Sequence, residues 1–170
     1  MKKRYFLQTG AAFVGMVALS RYLSVQSSAQ KPTPTSAQAD GKFAVTKTES
    51  EWRKVLTSEQ FNVLRKHHTE RPFSSPLNKE SAAGTYHCAG CDLPLFSSET
   101  KFESGTGWPS FYAPLENAIG TAIDRSLVIP RTEVHCRRCG GHLGHVFDDG
   151  PEPTGKRYCM NGDALTFAAS

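Results

Sequence analysis

A chain of 170 residues with 38% hydrophobic content has room for one ordinary domain and an appendage, and its core is small enough that a bound metal would help to hold it. The formal charge of +4 is local: Lys2, Lys3, Arg4 and Arg21 lie in the first 21 residues, and the remaining sixteen basic residues are balanced by sixteen acidic ones, all beyond residue 39. The body is therefore neutral, which removes the electrostatic case for nucleic-acid binding.

Residues 1–29 have the pattern of an export signal. Met1 to Arg4 is a positive n-region, Phe6 to Leu19 an apolar run short of the ~20 residues of a spanning helix, and Ser27-Ser28-Ala29 a small-residue cleavage site. The run Lys3-Arg4-Tyr5-Phe6-Leu7-Gln8 resembles a twin-arginine signal with Lys for the first Arg. An exported, periplasmic or equivalent extracytoplasmic protein is expected, the alternative being an uncleaved membrane anchor. Residues 30–47, rich in Pro, Thr, Ser, Ala and Gln, read as a flexible linker.

A domain over 48–170 follows. Thr48 to Glu51 fits a capping box, with Trp52, Val55 and Leu56 at helical spacing, and Thr57 to Gln60 repeats the cap before Phe61, Val63 and Leu64. The second helix is expected to end near His67 or His68, read as solvated helix-end residues rather than ligands. Beyond Pro76 the texture changes to short runs of β-branched and aromatic residues: 84–88, 93–96, 126–129, 132–136, 144–147, 157–160 and 165–167. These predict a mostly β, antiparallel domain. No Gly-rich phosphate loop sits on a strand-to-helix turn, so nucleotide chemistry has no support.

The five cysteines divide unequally. Cys88 and Cys91, and Cys136 and Cys139, form two C-x-x-C knuckles, each at the end of an expected strand, and together they can close a tetrahedral four-thiolate zinc site. Two disulfides are the alternative for an exported chain, and four-sulfur geometry alone admits iron. Four thiolates leave no open coordination position, so the metal is structural. Cys159 is left without a partner. It could be a small buried hydrophobe, but Arg157 shares its strand face by the period of two, and His142 and His145 lie close upstream. Such neighbours lower a thiol pKa and supply protons, which suits a nucleophile.

These residues also carry a family resemblance. Leu56 to Phe61, Thr69 to Phe73, Gly84 to Cys91, Ser104 to Phe111, Gly141 to Phe147 and Arg157 to Asn161 occur in the order found in the peptide-methionine sulfoxide reductases of the B type, which act on the R epimer at sulfur. The resemblance runs from about Glu51 to Phe167. It implies two antiparallel sheets, tent-like, with short N-terminal helices and a zinc site away from the reaction centre. It also implies Cys159 as nucleophile and a sulfenic acid on that residue.

The chemistry then assigns further expected roles. His142, His145 and Asn161 would bind and protonate the sulfoxide oxygen, and Trp108, with Phe111 of the same segment, would bind substrate. Trp108 also has an ordinary core reading. Arg157 would favour the thiolate, and Asp148 would hold Arg157 or a histidine. Many relatives carry a resolving cysteine where this chain has Thr106, and no sixth cysteine exists here. An external thiol, thioredoxin or glutaredoxin-like, is thus expected to regenerate Cys159 on a monomeric enzyme acting on oxidised proteins or peptides. A zinc-dependent binding module and a C-x-x-C thiol-disulfide oxidoreductase are the rival classes.

Overall fold

The computed structural model of the chain describes residues 43–170. The expected export signal and most of the expected linker lie outside the described residues. Residues 43–47 do not behave as linker. Val45 donates its backbone N–H to the carbonyl of Arg138 at 3.0 Å, and the Phe43 ring meets His135 edge-on at 5.9 Å. This short stretch lies against the second knuckle, where Gly140 takes φ of 67° and a side chain would collide with the Phe43 ring.

Two helices follow, α1 (Glu49–Val55) and α2 (Ser58–Lys66), both opened by capping boxes. The hydroxyls of Thr48 and Thr57 accept from the backbone of Glu51 and Gln60, whose side chains return to the cap N–H groups. Trp52, Leu56, Phe61, Val63 and Leu64 are buried, whereas Val55 points to solvent. The buried face covers the knuckles: Leu64 lies beside Gly90 and Gly141, and Arg65 donates to the Cys139 carbonyl at 3.1 Å.

The remainder is mainly β, in two antiparallel sheets. One has three strands in the order β2 (Pro94–Ser97), β1 (Gly84–Cys88), β9 (Leu165–Ala169). The other has six in the order β3 (Lys101–Phe102), β4 (Ser110–Phe111), β8 (Arg157–Met160), β7 (His142–Phe147), β6 (Arg131–Cys136), β5 (Ile119–Asp124). Among the described residues no helix is long and apolar enough to cross a membrane.

An aromatic cluster joins the sheets. Phe96 of β2 stacks on Phe111 of β4 at 4.4 Å, and Tyr86 of β1 meets Phe111 at 4.9 Å and Phe167 of β9 at 4.8 Å. Phe111 is fully buried there and does not line the cavity at Cys159, against its expected place at a substrate site. Its neighbour Ser110 faces the other side of the sheet, so alternation sends Phe111 inward.

The expected strand at 126–129 is also absent. Leu127, Val128 and Ile129 are exposed and form the connection between β5 and β6. Their β propensity describes fit to a pleated, half-buried surface, and here no neighbouring strand supplies one.

Candidate active site and metal centre

The register of the larger sheet lays the chemistry out in one row. Cys159 on β8 is directly opposite Ser110 on β4 and His145 on β7, and His145 is opposite Glu133 on β6. Directly opposed residues share a face, so four strands present Ser110, Cys159, His145 and Glu133 together. The next row adds Arg157 opposite Phe147. A register shift between Val134 and His135 opposes an extra residue of β7, which brings His142 to the same side although it is an odd number of residues from His145. Their rings lie 5.4 Å apart. Gly144 permits this crowding, since any side chain there would strike the Cys159 carbonyl.

Cys159 is a free, half-buried thiol at a cavity of about 130 Å³, which Trp108, Arg131, His145, Phe147 and Asn161 help to line. Thr106 Oγ1 lies 3.9 Å from its sulfur and belongs to a hydroxyl chain: Ser104 Oγ is 2.8 Å from Thr106 Oγ1 and 2.7 Å from Ser110 Oγ. Burial pushes the Cys159 thiol above its ordinary pKa, against the opposing pull of Thr106, Arg157 and Ser110. The direction is opposite to the expected lowering, because desolvation outweighs the pull of Arg157. Iodoacetamide should therefore alkylate Cys159 slowly at neutral pH, with a rate that rises to a midpoint above that of a free cysteine peptide. A midpoint below the peptide's would show the opposite balance.

Each histidine is backed by a carboxylate that the sequence reading did not identify. His145 Nε2 is 2.7 Å from Asp124 Oδ2, and His142 Nδ1 is 2.7 Å from Glu133 Oε1. Burial holds the His145 pKa below its usual value despite Asp124. The Asp124 carboxylate is held well below the usual range by Ser126, with His145 and Arg131 assisting. Burial alone would raise Glu133, but the bond from His142 and the nearby charges of His142, His67 and His135 hold it below its ordinary value.

Asp148 is not the partner of Arg157. It is paired with Lys156 on the exposed rim, while Asp149 takes the guanidinium in a two-point contact at 2.9 and 2.8 Å. The Arg157 guanidinium also stacks over Phe147 at 4.4 Å, so it is clamped from a face and an edge. Asn161 is at the cavity, but its amide is committed to the fold: Oδ1 accepts from the Glu70 backbone at 3.0 Å and Nδ2 donates to the Leu143 carbonyl at 3.0 Å. These two bonds fix the orientation of its side chain at the cavity edge. Glu70 extends the network, accepting from the amides of Gly162 and Asp163 at 2.8 and 2.7 Å and, through its carbonyl, from Trp108 Nε1 at 3.2 Å. Trp108 thus forms a fixed wall of the cavity.

The other four cysteines form a separate cluster. Cys88 ends β1 and Cys136 ends β6, so the two knuckles bring one end of each sheet together. Cys88 and Cys139 sulfurs are 3.7 Å apart, Cys91 and Cys136 sulfurs 3.5 Å, and all four lie within 4.8 Å of one another. All four cysteines are free, and these cross-knuckle separations lie well beyond the about 2.05 Å of a disulfide. They suit a tetrahedral ion such as zinc, whose thiolates at about 2.3 Å would stand about 3.8 Å from each other. Contacts with the other sulfurs hold Cys91 and Cys136 below the ordinary thiol range and push Cys88 and Cys139 above it. None of the four lines the cavity at Cys159.

One free thiol thus lies among hydroxyls, a clamped arginine and carboxylate-backed histidines, apart from the cluster formed by the other four cysteines. The family model described as the SelR domain matches residues 56–169. The chain is 58% identical over 125 residues to the peptide methionine sulfoxide reductase MsrB of Methanosarcina barkeri, covering 73% of this chain and 88% of that protein. It is 57% identical over 124 residues to the MsrB of Pseudomonas putida, covering 72% and 93%. Against the chloroplastic peptide methionine sulfoxide reductase B1 of Arabidopsis thaliana it is 48% identical over 155 residues, covering 90% and 76%. The chain belongs to the peptide methionine sulfoxide reductase B family.

Proposed function

We propose that this chain is a peptide-methionine (R)-S-oxide reductase that repairs oxidised proteins or peptides through a sulfenic acid on Cys159. The observation that carries the reading is the lone Cys159 thiol in its own cavity, flanked by Thr106 and Ser110 on one side and His145 on the other.

Cys159 Sγ attacks the sulfoxide sulfur and forms a sulfur–sulfur bond as the sulfur–oxygen bond breaks and the oxygen leaves as water; water then attacks Cys159 Sγ, the sulfur–sulfur bond breaks, and methionine leaves as the thioether with a sulfenic acid on Cys159. The departing oxygen takes the thiol proton and one lent proton, and the attacking water returns the latter, so the balance needs no outside proton. His145, with His142 behind it, lends a proton to the departing oxygen and recovers it, each imidazole steadied by its carboxylate. Arg157, locked by Asp149, favours the anion that develops on Cys159 as its proton moves. Trp108 offers an apolar wall for the sulfoxide methyl.

Zinc at Cys88, Cys91, Cys136 and Cys139 would be a structural ion that ties the two sheets and draws these four thiols away from redox chemistry. With no sixth cysteine, an external thiol attacks the sulfenic acid, water leaves, and a second thiol releases Cys159 from the mixed disulfide. Small thiols or a glutaredoxin-like donor then support turnover at least as well as thioredoxin. The export reading of residues 1–29 rests on their charge and apolar run, and would put this repair outside the cytoplasm.

The test is mass spectrometry, under non-reducing conditions, of enzyme treated with sulfoxide substrate and no reductant. A sulfenic acid, or its trapped adduct, on Cys159 with zinc retained is expected. A disulfide between Cys159 and one of the other four cysteines, with zinc loss, would overturn this recycling scheme. The 3.9 Å approach of Thr106 to Cys159 adds that Thr106→Cys should form an internal disulfide and raise thioredoxin-driven turnover.

A further inference from the structure

His67 is not a merely solvated helix end. It caps α2 in the left-handed conformation at φ of 56°, and that turn aims its ring back at the sheet. Its Nδ1 lies 3.2 Å from Glu133 Oε1, the same oxygen that His142 Nδ1 meets at 2.7 Å, and the two imidazoles are 4.9 Å apart. Two imidazole nitrogens and a carboxylate oxygen from three separate elements thus converge, all within 4.8 Å of one another. Nothing in sulfoxide reduction requires His67 at this place, since Glu133 alone suffices to orient His142.

We propose that His67, Glu133 and His142 form a second metal site, for a divalent transition ion such as zinc or cobalt, and that its occupation slows the reductase. Two imidazoles and one carboxylate are a donor set that such ions favour, and a tetrahedral ion with ligands at about 2.0–2.2 Å would need them about 3.3–3.6 Å apart. Small movements meet that spacing, because His67 is 62% exposed at its side chain and sits at a helix end. Glu133 is only 13% exposed at its side chain, so the ion would rest in the mouth between α2 and β6 with its fourth position open to water. An ion on His142 Nδ1 displaces the Glu133 hydrogen bond and bars that ring from taking up a proton. Proton supply to the departing oxygen then falls on His145 alone. The binding site stands on the geometry of the three ligands, whereas its effect on turnover rests on the reductase reading.

The experiment titrates the full-length, zinc-loaded enzyme with cobalt(II), following metal content, the visible spectrum and turnover of a sulfoxide peptide. A second ion per chain is expected, with ligand-field absorption but no thiolate-to-cobalt charge-transfer band, and with turnover reduced by at least about tenfold. His67→Asn, which tolerates the left-handed cap, should keep the basal rate, bind the second ion at least about tenfold more weakly and lose the inhibition. Cys159→Ser should still bind it. No second ion, full binding by His67→Asn, or a thiolate band that vanishes in Cys159→Ser would overturn the site. Binding without a change in turnover, in an enzyme that reduces sulfoxide, would overturn the inhibition.

Discussion

Cys159→Ser should lose sulfoxide reduction by on the order of 10⁴-fold or more while keeping its fold and its metal. A serine hydroxyl at this position keeps the hydrogen-bonding chain of Thr106, Ser104 and Ser110 but is a far weaker nucleophile toward sulfur and cannot form a sulfenic acid. No other residue can substitute. The remaining four cysteines are in contact with one another, and none reaches the cavity. Steady-state rates with a thiol reductant, beside metal content and a thermal melt, check the prediction. Near-normal folding with no turnover is the expected pair of results, and substantial residual turnover would place the chemistry elsewhere.

The opposite pattern is expected at the cluster. Replacing any one of Cys88, Cys91, Cys136 or Cys139 by Ser should give a metal-poor protein that is insoluble or melts far below wild type. A structural zinc contributes about 10–16 kcal/mol of binding free energy, against a net stability of about 5–15 kcal/mol for an ordinary domain. Weakening it by one ligand therefore consumes most of the margin. The position makes the loss global, since Cys88 and Cys136 end strands of different sheets and the helices rest on both knuckles through Leu64 and Arg65. Metal analysis and denaturant unfolding of the four variants are the measurements. A metal-free variant as stable as wild type would show that the cluster is not a staple.

What could be read in advance was local in sequence. The two capping boxes, the knuckles and the strand that carries Arg157 and Cys159 each depend on residues within a few positions of one another, and the structure contains all of them. The misassigned residues depend on register and on distant partners. Phe111 and Ser110 share a two-residue strand, and nothing local says which of them faces the core. Asp148 and Asp149 are adjacent, and the choice between them rests on how the turn before β8 presents the second to Arg157. Asn161 looks free beside a nucleophile, and its bond from the backbone of Glu70, 91 residues away in sequence, is visible only in the fold.

The supporting carboxylates were missed for the same reason. Glu133 lies opposite His145 only once β6 and β7 are paired, and Asp124 reaches His145 from β5, two strands away. Strand β5 itself gave little signal, because Ile119 to Asp124 mixes Gly and Ala with isolated isoleucines, and much of it is exposed. The direction of the Cys159 shift also needed the fold. Charge neighbours are visible in a sequence, but the burial that outweighs them is not.

The central claim is that the Cys159 site reduces the R epimer of peptide methionine sulfoxide, and it is most directly tested by offering the purified enzyme each epimer of one peptide separately, with dithiothreitol in excess. Complete conversion of the R epimer to methionine, with the S epimer recovered unchanged, is the expected result; conversion of the S epimer, or of neither, would contradict it.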